Sequence, residues 1–318
     1  MRDIFFGLDV QTIGQRPYKS VTEHEFDQGL RKTTSLNIKA KDLGLRVFPQ
    51  ANVYSAPLVS GHVGADVVAD MLAVGIDQEE RVVMLVDVGT NTEVVVGNRH
   101  RLLAASCPAG PAFEGGEITY GMPGYDGAIE SVKINDGVAD YKTIGGAIPE
   151  GICGSGLIDL LAELRRENIM NELGVFTDQS DRFLFAKEHG LSLSRSDVSA
   201  LAQAKSANYS GQWIVLRDYG TPIDAISSLY LAGGFANYVN VRNAIDIGFI
   251  ANLPKDKVTK VGNAALEGAT LLLVSGKMRQ IAEELVRRVE HVELETTADF
   301  FDIFVEGCLL NPMPKSFT

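Results

Sequence analysis

The 318-residue sequence contains few cysteines, and the three that it has, Cys107, Cys153 and Cys308, lie far apart. No two of them form a CxxC pair, and no spacing of cysteine with histidine is typical of a zinc site or an iron–sulfur cluster. An odd number of scattered cysteines favours a reducing compartment, in which thiols stay reduced. We therefore expect a cytoplasmic protein without a cysteine-bound metal.

The sequence also lacks dense runs of basic residues and long apolar runs. It carries 41 acidic and 29 basic side chains, a formal net charge of -12. Because an acidic surface repels phosphate backbones and anionic lipid, we expect no nucleic-acid and no membrane partner. No stretch approaches the roughly 20 apolar residues that span a bilayer. Residues 1–9 carry an acid within a very short apolar run, unlike a signal peptide.

The pattern of apolar residues predicts the fold class. With 45% hydrophobic residues, the chain can form a sizeable core. Residues 82–86 are a continuous β-prone run, typical of a strand buried on both sides. Hairpin strands are predicted to follow at 93–96, 102–105 and 129–143. A strand at 226–232 and helices near 240–247, 262–275 and 278–289 come last. This order predicts an α/β fold with a mixed sheet, in which antiparallel hairpins precede strand–helix units.

Two further predictions concern the middle of the chain. Residues 171–195 show no regular period and are interpreted as an irregular insertion. A long amphipathic helix is predicted to begin near Ser196, whose hydroxyl can cap it, and to run to about residue 219.

The turn after the predicted strand at 82–86 is the first candidate site. Asp87 stands at the strand's carboxyl end, followed by Gly89, Thr90 and Asn91. Such a turn exposes backbone N–H groups beside hydroxyl and amide side chains, which suits phosphate oxygens. Asp87 could hold Mg²⁺ directly or through water. The alternative is an ordinary hairpin with polar turn residues.

Two glycine-rich turns are further candidates. Gly233 and Gly234 follow a predicted buried strand and would let a flat ligand such as a purine approach the backbone. Their alternative is close packing of strand and helix. The run 151–156 (GICGSG) precedes a predicted helix, so its amides could face an anion. Its alternative is a turn that only starts the helix.

Five segments together resemble one family. The run 106–116 (SCPAGPAFEGG) is similar to its A-G-P-A-F-E-G signature. The others are GHVGAD at 61–66, DVGTNTE at 87–93, GICGSGLID at 151–159 and LAGGFA at 231–236. In their order along the chain, the five segments resemble the ATPase region of the ATP-dependent reductive activators of corrinoid proteins. The match covers almost the whole chain.

The resemblance implies an actin-like ATPase (ribonuclease H-like) fold, also called the ASKHA fold, that binds ATP and Mg²⁺. It implies that ATP drives the reduction of Co(II) to Co(I) in a corrinoid protein of methyl transfer. Asp87 would be catalytic and bind the metal, and Glu114 would position water or metal unless it only forms a loop salt bridge. The implied nucleotide-binding residues are Gly89, Thr90, Asn91, Thr92, Gly110, Gly154, Ser155, Lys205, Gly233 and Gly234. For Lys205, the alternative that we prefer is a solvated surface lysine.

The chain departs from the family pattern at its beginning. Relatives carry a ferredoxin-type domain with a 2Fe–2S cluster and a middle region with a D-x-G-T-T motif, and neither motif occurs here. We therefore interpret residues 1–80 as a partial first lobe or linking region and 81–318 as the nucleotide-binding ASKHA lobe. The sequence would then lack the ferredoxin and middle regions, as a fragment, a split gene product or a chain with a wrongly chosen start.

The expected partners are the corrinoid protein, a separate ferredoxin-type subunit and a second copy in a homodimer. The alternative functions are a small-molecule kinase of the same superfamily and a nucleotide-sensing or dimerisation module without turnover. A catalytic base beside a hydroxyl-binding pocket would favour the kinase.

Overall fold

The computed structural model describes residues 1–316. These residues form nine α-helices and thirteen strands, joined by short 3₁₀ turns and loops. The helices are α1 (Arg2–Phe5), α2 (Val21–Asp27), α3 (Ala65–Ala73), α4 (Gly154–Arg166), α5 (Arg195–Tyr219), α6 (Val241–Asp246), α7 (Ala264–Val274), α8 (Gly276–Val286) and α9 (Phe300–Gly307).

The strands are β1 (Leu36–Lys39), β2 (Asn52–Ser55), β3 (Val83–Val88), β4 (Thr92–Gly97), β5 (Leu102–Cys107), β6 (Ala128–Asn135), β7 (Val138–Thr143), β8 (Gly151–Ile152), β9 (Arg182–Ala186), β10 (Leu191–Ser194), β11 (Leu229–Gly233), β12 (Val258–Gly262) and β13 (Val289–His291).

Six strands form the largest sheet, in the hydrogen-bonded order β12-β11-β3-β4-β5-β13. β11 runs parallel to both β3 and β12, and β13 runs parallel to β5. The loops between β3, β4 and β5 are only a few residues long, too short for a parallel crossover, so these strands form antiparallel hairpins. In β3 every residue except Asp87 is buried, as its continuous apolar run predicts. The predicted mixed sheet of hairpins and strand–helix units is therefore confirmed.

The chain divides into two compact units. The first consists of Met1–Arg81, Val95–Ala105 and Asn263–Val292. Within it, α7 packs closely on α3, because Gly268 faces the backbone of Ala69. A Cβ at Gly268 would come within 1.9 Å of the Ala69 carbonyl oxygen, so no larger residue fits there.

The second unit consists of Val82–Val94, Ser106–Gly262 and the residues from Glu293 onward. The long helix α5 lies at its centre and packs against α9. A three-stranded sheet in the order β7-β6-β8 packs on α4. The β6–β7 hairpin turns at Asp136 and Gly137, both with positive φ, as the sequence predicts.

Two predictions about the middle of the chain are wrong in detail. The supposedly irregular stretch 171–195 contains the β9–β10 hairpin, in which Leu191, Leu193 and Phe185 are buried. The residue that caps α5 is Ser194, not Ser196. The Ser194 hydroxyl accepts a hydrogen bond from the Asp197 N–H, and the Asp197 carboxylate accepts one from the Ser194 N–H. This reciprocal pair fixes the start of the helix.

Within residues 1–316, no helix combines the length and the apolar character that crossing a membrane requires.

Candidate functional site

A cavity of about 410 Å³ lies in the second unit, where β3, β6, α4 and the loop after β11 come together. Its volume is within the range of ligand-binding pockets, roughly 300–1,000 Å³. Its wall consists of the backbone of three glycines, two carboxylates and several apolar side chains. Among the residues that line it are Gly89, Gly154, Gly234, Glu114, Glu130, Met122, Ile144, Phe235 and Tyr238.

The turn between β3 and β4 forms the first side of this cavity. The Thr90 hydroxyl donates a hydrogen bond to Glu114 Oε2 at 2.6 Å, and the Gly110 N–H donates one to the Thr90 carbonyl at 2.8 Å. Both contacts tie the turn to the glycine- and proline-rich loop 107–127. Glu114 is exposed, so its carboxylate can meet a ligand in the cavity.

The first turn of α4 forms the second side. Gly154 and Ser155 line the cavity, and the residue before them, Cys153, gives the helix no side-chain cap. No acidic residue stands in this first turn. Backbone N–H groups and the positive end of the helix dipole therefore meet at the cavity, an arrangement that binds anions. The turn at 151–156 both starts a helix and faces the cavity.

The two adjacent glycines of the third side have different roles. Gly233 has a φ of +117°, and a Cβ there would lie 2.2 Å from the Val88 carbonyl oxygen. Packing between β11 and β3 therefore requires this glycine. Gly234 lines the cavity, and a Cβ there would meet no atom within 4 Å. Gly234 is therefore the glycine that leaves space for a ligand.

Of the sequence-predicted site residues, Gly89, Glu114, Gly154, Ser155 and Gly234 line the cavity. Asp87, Thr90, Asn91, Thr92 and Gly233 lie within a few positions of these residues in the chain, and Gly110 is hydrogen-bonded to the Thr90 carbonyl. Asp87 is half-buried near the carboxyl end of β3, opposite Ala232 in the register with β11. Asn91 is exposed, and Thr92 is buried with no hydrogen-bond partner for its hydroxyl among residues 1–316.

Lys205 is not a surface lysine, so the alternative that the sequence favoured is wrong. Its side chain is fully buried in α5, and Nζ donates a hydrogen bond to the Leu309 carbonyl at 2.6 Å. Burial lowers the pKa of Lys205 to about 7. Lys205 does not line the cavity either, so it connects α5 to the segment after α9.

The sequence did not identify the apolar side chains of the wall or the second of its two acidic residues. Phe235 and Tyr238 follow Gly234 directly, and their aromatic character beside a glycine pair was a usable signal. Met122 and Ile144 come from loops, and no sequence pattern marked them. Glu130 lies on β6, and the packing of β6 on α4 brings it to this wall.

A polar network lies one helical turn further along α4. Asp159 accepts hydrogen bonds from Asn243 Nδ2 at 2.7 Å and from the Val132 N–H at 3.3 Å. Asn243 accepts one from Arg166 Nη2 at 2.7 Å, and Arg166 also bonds Glu163. Burial raises the pKa of Asp159 in spite of these donors. The network joins α4 to α6, the helix that follows the Gly233–Gly234 turn.

Comparison with known proteins assigns the chain to a family. Residues 81–317 match the model of the C-terminal domain of RACo, the ASKHA domain, and residues 1–79 match the model of the RACo middle region. The chain belongs to the RACo family of reductive activators. The resemblance seen in the sequence is thereby confirmed, as is the actin-like fold. The expectation that the chain lacks the middle region is wrong, because residues 1–79 match the model of that region. An ASKHA domain implies ATP and Mg²⁺ as ligands.

Two curated relatives illustrate the RACo family. The corrinoid activation enzyme RamQ of Eubacterium limosum is 31% identical over 98% of this chain and 54% of its own length. The reductase of the Co(II) methylated amine-specific corrinoid protein of Methanosarcina barkeri is 22% identical over 87% of this chain and 57% of its own length. The chain thus spans about half the length of the curated relatives it matches.

A solved structure shares the fold of this RACo-family chain. The reductive activator for corrinoid, iron-sulfur protein superposes with a TM-score of 0.87 at 32% sequence identity. The alignment covers 98% of this chain and 51% of that chain. The name of that protein states that it activates a corrinoid, iron–sulfur protein.

The residues that line the cavity fit a nucleoside triphosphate. The helix N-terminus at Gly154 can bind anionic groups, and the absence of a Cβ at Gly234 leaves open space beside Phe235 and Tyr238. Over residues 1–316, no three His, Cys, Asp or Glu side chains form a group that could hold a metal by themselves. Mg²⁺ in this cavity would therefore take most of its ligands from the phosphates and water.

Proposed function

We propose that this chain binds and hydrolyses ATP and so drives the reduction of a corrinoid protein from Co(II) to Co(I). The observation that carries the proposal is the single cavity in which the β3–β4 turn, the N-terminus of α4 and Gly234 meet beside Glu114. A triphosphate, a sugar and a base need an anion-binding end and an apolar end in one pocket. This cavity offers both.

The chain's own residues divide the work by chemistry. The N–H groups at Gly154 and Ser155 would hold phosphate oxygens, with Gly89 on another side of the cavity. Gly234, Phe235 and Tyr238 would hold the nucleoside. Asp87 would bind Mg²⁺ directly or through water, which neutralises charge on the phosphates.

Glu114 would position the attacking water. Its Oε2 accepts the Thr90 hydroxyl, so the carboxylate is held beside the phosphate turn. A carboxylate within hydrogen-bond reach of a water can orient it and accept its proton. Thr90 is then a positioning residue that acts through Glu114.

Coupling to the corrinoid requires two states of the protein. A ligand shifts a conformational equilibrium only as far as its affinities for the two states differ, so ATP and ADP must favour different forms. One curated relative is named a corrinoid activation enzyme and the other a reductase of a corrinoid protein, which supports a corrinoid protein of methyl transfer as partner. We further propose a ferredoxin-type subunit as electron donor, a homodimer and a cytoplasmic location.

The test supplies the chain with Mg²⁺, ATP, a low-potential reductant and a Co(II) corrinoid protein under anaerobic conditions. The absorbance spectrum should change to that of Co(I) with ATP and stay that of Co(II) with ADP. The Asp87→Ala variant should behave like the ADP sample. A Co(I) spectrum that forms equally without ATP, or ATP hydrolysis that never yields Co(I), would contradict the proposal.

A further inference from the structure

Glu130 occupies a break in the pairing between β6 and β7. Ile129 lies opposite Thr143 and Ser131 lies opposite Lys142, so Glu130 has no residue opposite it. Such a β-bulge changes the direction of a side chain, and bulges are frequent next to active sites. Glu130 is part of the cavity wall and Ser131, its neighbour, lines a different pocket, as expected for successive residues of a strand, which point to opposite faces.

The carboxylate of Glu130 has no protein donor. Across residues 1–316, no hydrogen bond and no ion pair to its oxygens is present, although the residue is half-buried. The nearby acids differ in this respect, since Asp159 and Glu163 accept the N–H groups of Val132 and Ile134. Glu114 accepts the Thr90 hydroxyl. The carboxylate is therefore available to accept a hydrogen bond from a ligand in the cavity, and no protein donor has to be displaced.

The position of Glu130 restricts which ligand group could supply the donor. Its carbonyl accepts the Ser155 hydroxyl at 2.8 Å, so it lies beside the first turn of α4, where phosphates are proposed to bind. A carboxylate repels phosphate oxygens and needs an O–H or N–H donor. In a nucleotide the sugar lies between phosphates and base, and the apolar side chains of Phe235 and Tyr238 suit the base.

We propose that Glu130 is a specificity-determining residue, whose carboxylate accepts hydrogen bonds from the ribose hydroxyls and so selects ribonucleotides over deoxyribonucleotides. The inference rests on the proposed function, because it concerns the same cavity. It assigns a sugar-recognition role to a residue that belongs to neither the phosphate turn nor the glycine pair.

The test measures the affinity of the chain for Mg²⁺-bound ATP, 2′-deoxy-ATP, 3′-deoxy-ATP and ITP by calorimetry. The wild type should prefer ATP over at least one deoxy form by roughly 10- to 100-fold, as expected for hydrogen bonds to a charged group. In Glu130→Ala this preference should fall to about twofold, while the ratio of ATP to ITP affinity stays constant. Glu130→Gln, of the same size, should retain an intermediate preference.

The matched control is Glu167→Gln, which removes an exposed carboxylate at the end of α4, outside the cavity. It should keep the wild-type preference. If Glu130→Ala binds ATP but still discriminates against both deoxy forms as the wild type does, the inference is wrong and the proposed function stands. A change in the ratio of ATP to ITP alone would also overturn it, because Glu130 would then read the base. If the wild type binds none of the four nucleotides, the proposed function fails as well.

Discussion

The hydroxyl of Thr90 donates a 2.6 Å hydrogen bond to the carboxylate of Glu114, 24 positions later in the chain. This contact joins the β3–β4 turn to the glycine- and proline-rich loop and sets the carboxylate beside the proposed phosphate site. The relationship gives Glu114 a role that mutation can separate from nucleotide binding.

We predict that Glu114→Gln lowers the kcat for ATP hydrolysis by about 100-fold, as expected for loss of a group that positions and deprotonates water. The affinity for ATP should change by no more than a few fold, because the phosphates are held by backbone groups. Steady-state phosphate release and calorimetry measure the two quantities. The control Glu117→Gln alters an exposed acid of the same loop outside the cavity, and equal losses in both variants would disprove the assignment.

The adjacent glycines provide a matched pair. Gly233→Ala should lower the free energy of unfolding by about 2 kcal/mol or more, because its Cβ would meet the Val88 carbonyl oxygen at 2.2 Å and its φ is +117°. Gly234→Ala should leave stability within about 0.5 kcal/mol and weaken ATP binding about tenfold, since the methyl group enters open space in the cavity. Urea unfolding and calorimetry together test the pair, and the reverse pattern would refute the division of roles.

Sequence alone predicted much of this fold because its strongest signals are local. The apolar run at 82–86 predicted β3, and the glycine-rich turns at 89, 154 and 234 predicted three sides of the cavity. Glu130 could not be predicted, because its place in the wall depends on how β6 packs on α4, where the Ser155 hydroxyl donates to the Glu130 carbonyl. The burial of Lys205 was equally hidden, since it requires α5 to pack against a segment about 100 residues away.

The buried lysine predicts a dependence of stability on pH. The folded pKa of Lys205 is about 7, below the value of about 10.4 for an unfolded chain. Between these values the unfolded state binds more protons, so the free energy of unfolding rises with pH through this window. Below pH 7 Lys205 is protonated in both states, so the cost of burying its charge is fully present and no longer changes with pH. From pH 7 to pH 9 the contribution should be about 2 kcal/mol.

Replacing this side chain should remove that dependence. The difference in unfolding free energy between wild type and Lys205→Met should change by about 2 kcal/mol from pH 7 to pH 9, in favour of the wild type at high pH. The exposed Lys187→Met serves as control and should show no such change. If the two curves stay parallel in Lys205→Met, the lysine is charged in the folded protein and the prediction is wrong.

The polar network between α4 and α6 predicts that loss of one side-chain amide lowers the stability of the protein strongly. Asn243→Leu should lower the free energy of unfolding by about 3 kcal/mol, because it leaves the buried Asp159 carboxylate and Arg166 without their shared partner. Asn240→Ala at the start of the same helix removes only a cap and should cost about 1 kcal/mol. Thermal or urea unfolding measures both, and similar losses would mean that the network contributes little.

A calorimetric titration of Mg²⁺-ATP into the chain and into its Asp87→Ala variant tests whether this cavity binds ATP. We expect saturable binding of one ATP per chain in the wild type and no measurable Mg²⁺-ATP affinity in the variant, which should still fold. A wild type that binds no ATP, or a variant that binds Mg²⁺-ATP as tightly as the wild type, would contradict this expectation.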